Sequence, residues 1–259
     1  MKRTTRYLVL GAIFYLAFLV VGAPSAWMAQ GLKHFSQGRL GLAQTSGSLW
    51  RGQGELFIAF NSKEDRRLGR IEWRIEPWWL LLGRVQTRLQ ISAPDADLRG
   101  AVGLAFRKVA VRELSATLPA DLAVAFYSPA MLFGAQGRVQ IKSEELEFGG
   151  DGVRGGAEIL WQGAGSRLSS VSPLGDYRLS FAGQGKLAQI KLETVRGDLM
   201  LGGEGQWRPE SGALQFNGSA RPAAHAQELE PLLRVLGPDQ GGGQRSISVN
   251  LRLAAAATR

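Results

Sequence analysis

Residues 68–92 read LGRIEWRIEPWWLLLGRVQTRLQIS. Within Leu68–Glu76, the apolar Ile71, Trp73 and Ile75 alternate with Arg70, Glu72, Arg74 and Glu76. A period of two is that of a β-strand, whose successive side chains point to opposite faces. One face is dry and the other charged, as in an antiparallel sheet with one side in water. Pro77 stops the strand because it has no N–H to donate. Trp78–Leu82 then makes a compact apolar corner. Alternation resumes over Arg84–Ser92, with Val85, Leu89 and Ile91 set against Arg84, Gln86, Arg88 and Gln90.

The same pattern extends in both directions. Upstream, Leu40 and Leu42 alternate with Gly41 and Ala43, and Glu55–Phe60 follows a tight connection over Thr45–Gly54. Asn61–Arg67 is a charged loop. Downstream, strands are expected over Ala96–Phe106, Lys108–Thr117, Gly137–Phe148, Gly156–Gln162, Asp176–Ala182, Lys186–Val195, Asp198–Trp207, Ala213–Ala220 and Arg245–Leu253. The 34 glycines fall between these runs, where tight turns need them. Pro119–Phe133 and Ala226–Leu236 are the helix candidates, the latter carrying an internal Pro231. Pro24–Gly38 continues a helix that begins upstream.

That upstream helix is Tyr7–Trp27, YLVLGAIFYLAFLVVGAPSAW, with no charged side chain. The nineteen residues between Tyr7 and Trp27 span roughly 28 Å as a helix, close to the hydrocarbon thickness of a bilayer. Tyr7 and Trp27 stand where interfacial aromatics belong, and Leu8, Leu10, Ile13, Phe14, Leu16, Phe18 and Leu19 supply the apolar body. Lys2, Arg3 and Arg6 precede it, so the short N-terminus (1–6) belongs in the cytoplasm and 28–259 on the far side, in the periplasm. Ala23-Pro24-Ser25-Ala26 also resembles a signal-peptidase site. The apolar run exceeds a usual signal-peptide core, which favours a retained anchor. The expected fold class is mainly β: a transmembrane helix, then a large curled antiparallel sheet of about a dozen strands with one or two short helices.

Composition narrows the chemistry. The chain has 259 residues, net charge +9 and no cysteine. Thiolate metal sites and cysteine catalysis are excluded, and two distant histidines, His34 and His225, make a zinc site an unpromising reading. The positive charge is dispersed along strands, without a basic helix, so nucleic acid is not an expected partner; the charges read first as solvated strand faces, and otherwise as attraction to anionic lipid head groups or an acidic protein partner. Glu144, Glu145 and Glu147 form the tightest acidic cluster, read as a solvated strand end in which Glu145 and Glu147 share a face. Trp73, Trp50 and Trp161 are read as core, with Trp78 and Trp79 packing a corner or touching lipid. No catalytic, cofactor or metal motif is present, so neither enzyme activity nor a cofactor is expected.

The order of several motifs carries a resemblance. GSLWRG (47–52) precedes IEWRIEPWWLLLGRV (71–85). Leu160-Trp161, SSVSPLGDYR (169–178), LETVRGDLMLGGEGQW (192–207), LQFNGSARP (214–222) and LEPLLRVLG (229–237) follow. In this sequence the chain resembles the type II secretion system protein N family, with weaker likeness to the AsmA-like envelope proteins. The resemblance implies a bitopic inner-membrane accessory of the machine that exports folded proteins across the outer membrane. Its partners would be that machine's other inner-membrane components and membrane lipid. It carries over no catalytic residues. Its markers are Gly47, Leu49, Trp50, Gly52, Trp73, Pro77, Trp161, Gly175, Tyr177, Gly197 and Trp207. The AsmA-like likeness implies instead an apolar β-groove that shields lipid.

Overall fold

A computed structural model describes residues 7, 11, 15, 21–61, 64–123 and 134–252. Two compact units divide after Pro94. The architecture is mainly β, with thirteen antiparallel strands and few short helices among the described residues, in line with the alternation.

The first unit holds helix α1 (Ala26–Phe35), strands β1 (Leu40–Gly47), β2 (Arg51–Asn61) and β3 (Glu64–Ile75), a 3-10 turn (Pro77–Leu82) and β4 (Val85–Ser92). The strands pair in chain order. Ile71 sits across from Ile91, and Trp73 lies between Gly52 and Leu89, so the dry residues form one face. Leu56, Ile71 and Trp73 are its buried centre, and Met28 and Leu32 of α1 pack against them. Leu32 therefore faces the unit, whereas Trp27 (59% exposed) and Phe35 do not.

The second unit is a nine-stranded meander. It comprises β5 (Asp97–Ala105), β6 (Lys108–Pro119), β7 (Ala135–Gly149), β8 (Gly152–Ser166), β9 (Gly175–Gly185), β10 (Ala188–Gly197), β11 (Leu199–Arg208), β12 (Ala213–Pro222) and β13 (Arg245–Arg252), each antiparallel to the next. Strand β8 is longer than Gly156–Gln162; at its start Gly152 and Gly155 let pairing continue where a Cβ would meet main-chain carbonyls of the neighbouring strands. The helix expected over Pro119–Phe133 appears as α2 (Ala120–Ala123), and 124–133 lie outside the described residues. Helix α3 (Ala226–Leu236) has the expected bounds. Its Leu229, Leu232 and Leu233, spaced to share one helical face, pack with Val171, Leu174, Leu199 and Ala220. Arg245 of β13 clamps the helix by pairing with Glu230 (3.0 Å) and Asp239 (3.3 Å).

Of the anchor, Tyr7, Gly11, Tyr15 and residues 21–27 are described, and Tyr7, Gly11, Tyr15 and Val21 are helical. The chain leaves the helix over 22–25, where Pro24 bridges to Ser48, and α1 starts at Ala26, so the helix does not run unbroken through Pro24 as expected. Leu8, Leu10, Ile13, Phe14, Leu16, Phe18 and Leu19 lie outside the described residues. Among the described residues no helix is long and apolar enough to cross a membrane.

Candidate functional site

The marker residues gather into two structural nodes, one in each unit. In the first, the indole of Trp73 lies over Gly52, whose cross-strand position would put any Cβ 2.5 Å from that ring. The Trp73 indole N–H donates to the Leu49 carbonyl (3.0 Å), and the Ile75 N–H donates to the Trp50 carbonyl (2.6 Å). Leu49 in turn donates its N–H to the Ala23 carbonyl (2.8 Å), while Pro24 bridges to Ser48. Ala23 and Ser25 are buried, at 2% and 6% exposure. GSLWRG thus ties the chain leaving Tyr7–Trp27 to the end of β3. Trp50 is half-buried rather than core, because its neighbourhood is this turn and not the sheet centre.

In the second node, Trp161 and Tyr177 are cross-strand partners with ring centroids 5.9 Å apart. The Trp161 indole N–H donates to the Gln136 carbonyl (2.8 Å), and the ring is half-buried, packed against the cluster of Ala120, Ala135 and Val139. Tyr177 is buried and its hydroxyl donates to the Leu199 carbonyl (2.8 Å). Burial pushes that phenol well above the ordinary tyrosine range, which keeps it a neutral donor. Gly175 and Gly197 face each other directly across β9 and β10. Beside them, Asp176 accepts from the Gly163 N–H (2.7 Å) and from Arg196 Nε (2.6 Å), and these bonds, the backbone one first, hold its carboxyl below the ordinary aspartate value. Trp207, the remaining second-unit marker, packs edge-on to Phe148 and tilted against Phe181.

Asp176 has a pH signature. Its folded-state pKa lies below the unfolded one, so its contribution to stability is present above the ordinary aspartate value and is lost as pH falls through the folded value. The urea midpoint of the second unit should fall as pH drops below about 4. Asp176→Asn should cost roughly 1–3 kcal/mol at neutral pH and remove part of that acid dependence. An identical acid profile in wild type and variant would refute the assignment.

The dry face of the nine strands is continuous. Trp161, Tyr177 and Thr194 share it in register, as do Ile141, Ile159, Leu179 and Leu192 along the next row. Phe181 and Ile190 continue it, and Phe216 and Val249 carry it to β13. Helix α3 covers one end, where Leu199 and Ala220 are at most 1% exposed, and α2 packs at β6 and β7. The middle rows are only half-buried, and among the described residues no other element packs extensively on them.

Two carboxylates of the β7 acidic cluster, Glu145 and Glu147, are committed to cross-strand pairs. Glu145 binds Arg112 (2.8 Å) and Glu147 binds Lys108 (2.8 Å) on one face of β6 and β7. The Lys108 contact holds the Glu147 carboxyl below its ordinary value, which suits an ion pair and not a proton donor. Among the described residues no group of His, Asp or Glu side chains could hold a metal ion.

A feature invisible in the sequence lies on the wet face of the first unit. Arg51, Arg74 and Arg88, from three different strands, stand in one row. Only the register of the folded sheet aligns them.

Comparison with known proteins agrees with these landmarks. The family described as "Type II secretion system (T2SS), protein N" matches residues 38–248, which span both nodes. Type II secretion system protein N of Klebsiella pneumoniae is 31% identical over 245 residues, covering 90% of this chain and 88% of that protein. No solved structure matches. A family match across most of the chain, together with a full-length relative, shows that this chain belongs to the type II secretion system protein N family, a component of the secretion machinery.

Proposed function

We propose that this protein is a non-catalytic accessory of the type II secretion machinery, held in the inner membrane by Tyr7–Trp27. Residues 1–6 face the cytoplasm, and 28–259 work in the periplasm in export across the outer membrane. Family membership supports the machine. The length, flanking charges and lack of ionisable residues of Tyr7–Trp27 support the anchor. The observation that carries the reading is the burial of Ala23 and Ser25. A signal peptidase needs an extended, accessible Ala23–Ala26, and here the Ala23 carbonyl is engaged by Leu49. The partners are the machine's other inner-membrane components.

Deletion of the gene should leave secreted substrates accumulating in the periplasm. An N-terminally tagged chain should remain intact in the membrane fraction after alkaline extraction. Full secretion in the deletion strain, or a tag released from the protein, would overturn the respective half of this reading.

A second reading, lipid shielding of the AsmA-like kind, is favoured by one observation: the middle rows of the nine-stranded dry face are not covered by the described elements. Apolar surface of that extent is stabilised by acyl chains or by an apolar partner. The same purified protein, examined by native mass spectrometry, separates the two: stoichiometric phospholipid supports shielding, and lipid-free protein removes it.

A further inference from the structure

The 3-10 turn Pro77–Leu82 presents three large apolar side chains to solvent. Trp78 is 75% exposed, Leu82 68% and Leu80 40%. The turn is not slack. The Gly83 N–H donates to Leu80 (3.0 Å), the Arg84 N–H to Trp79 (2.8 Å), and the Trp79 indole N–H to Glu76 Oε2 (3.1 Å). Gly83 ends it in the left-handed region at φ 64°. Three large apolar groups are therefore held rigidly in contact with water, an arrangement whose free energy improves when they are covered.

Beside the turn is the row Arg51–Arg74–Arg88, with exposed Arg84 at the start of β4. Like charges directly across strands repel each other. Arg88 reaches Glu76 at 3.9 Å, but neither Arg51 nor Arg74 has a carboxylate partner among the described residues. Such a row is relieved by an anionic surface.

Position selects the occupant. The exit of the anchor segment at Ala23 is bonded to Leu49, the Leu49 carbonyl to Trp73, and the neighbouring Trp50 carbonyl to Ile75, two residues before Pro77. The apolar turn and the arginine row therefore lie at the end of the first unit where the chain leaves Tyr7–Trp27. We propose that the Pro77–Leu82 turn is a second membrane contact: Trp78, Leu80 and Leu82 enter the interface while Arg51, Arg74, Arg84 and Arg88 engage the phosphates of anionic phospholipid. The inference rests on the anchored reading above, and it adds to the anchor a second point of attachment that orients the first unit on the bilayer.

The absence of cysteine allows a direct test. An environment-sensitive fluorophore is attached to single-cysteine full-length variants Leu82→Cys, Ser92→Cys (the far end of β4) and Phe14→Cys (the anchor). Each is reconstituted in nanodiscs of phosphatidylcholine with or without phosphatidylglycerol, with brominated acyl chains as quencher. The expected result is strong quenching at 14 in both discs. At 82, quenching should be several-fold greater with phosphatidylglycerol, and none should occur at 92. Adding Arg51→Gln, Arg74→Gln and Arg88→Gln should abolish the phosphatidylglycerol dependence at 82. Quenching at 14 with none at 82 overturns the proposal, leaves the anchor standing and assigns the turn to a protein partner. Quenching at 82 that is equal in both discs overturns the anionic recognition. No quenching at 14 overturns the anchored reading itself.

Discussion

Trp73→Ala should unfold the first unit under conditions in which the second stays folded. Trp73 is 2% exposed, fills the core with Leu56 and Ile71, and satisfies the Leu49 carbonyl. Truncating a buried tryptophan costs about 3–5 kcal/mol. Against the roughly 5–15 kcal/mol that a typical domain has available, this is a change of about a hundred- to five-thousand-fold in the folded ratio. The loss also frees the Ser48–Trp50 turn that holds Ala23, so the anchor junction should become accessible to protease in the same variant. Urea unfolding followed by limited proteolysis of residues 21–94 would show both effects. Trp78→Ala is the matched comparison. That side chain is 75% exposed, and its removal should change the unfolding free energy by no more than about 0.5 kcal/mol. If the two variants behave alike, the assignment of Trp73 to a core and Trp78 to a surface is wrong. Because less folded protein survives in cells, secretion should fall in Trp73→Ala roughly with abundance.

Gly197→Ala should be about as damaging to the second unit, through backbone and not through core volume. A Cβ at Gly197 would stand 2.3 Å from the Gly175 Cα and 2.4 Å from the Leu174 carbonyl. Both are main-chain atoms, so no side chain can swing aside. The position also has φ 145°, which an L-residue rarely adopts. Strain and overpacking together should cost at least about 3 kcal/mol. Gly175 and Gly197 sit where Tyr177 reaches Leu199, so separating β9 from β10 there should also break the Tyr177 bond. Loss of near-ultraviolet circular dichroism from the Trp161–Tyr177 pair, with a lowered unfolding midpoint, is the expected readout. Gly163→Ala provides the contrast: nothing lies within 4 Å of its Cβ position, so its cost should be limited to the left-handed backbone strain at φ 56°, about 1–2 kcal/mol. A native-like Gly197→Ala would mean that the two strands are further apart than described.

Much of the fold was legible because period and punctuation are local. The alternation at Ile71, Trp73 and Ile75 specified a strand and its dry face, and both are found. The helix candidate Ala226–Leu236 is found with its expected bounds despite Pro231, and the packing of Leu229, Leu232 and Leu233 on the sheet compensates for the proline. The marker residues were legible as a pattern but not as contacts. Gly52 and Trp73 belong together because β2 and β3 pair in one register, and Gly175 meets Gly197 for the same reason. Trp161 was expected in the core and is half-buried, since alternation says which face a ring is on and not what covers that face.

The sequence by itself determined the strand grammar, the chemistry of an apolar segment of membrane length, the poverty of catalytic groups and the family likeness. These depend on residue types and their spacing along one segment. Only the tertiary structure decided that Arg51, Arg74 and Arg88 form one row, that Ala23 is engaged by Leu49, and that the dry face is covered at its ends more than in its middle. Each of those facts depends on the pairing of segments distant in the chain. A one-residue slip in register would exchange every face while leaving the alternation unchanged.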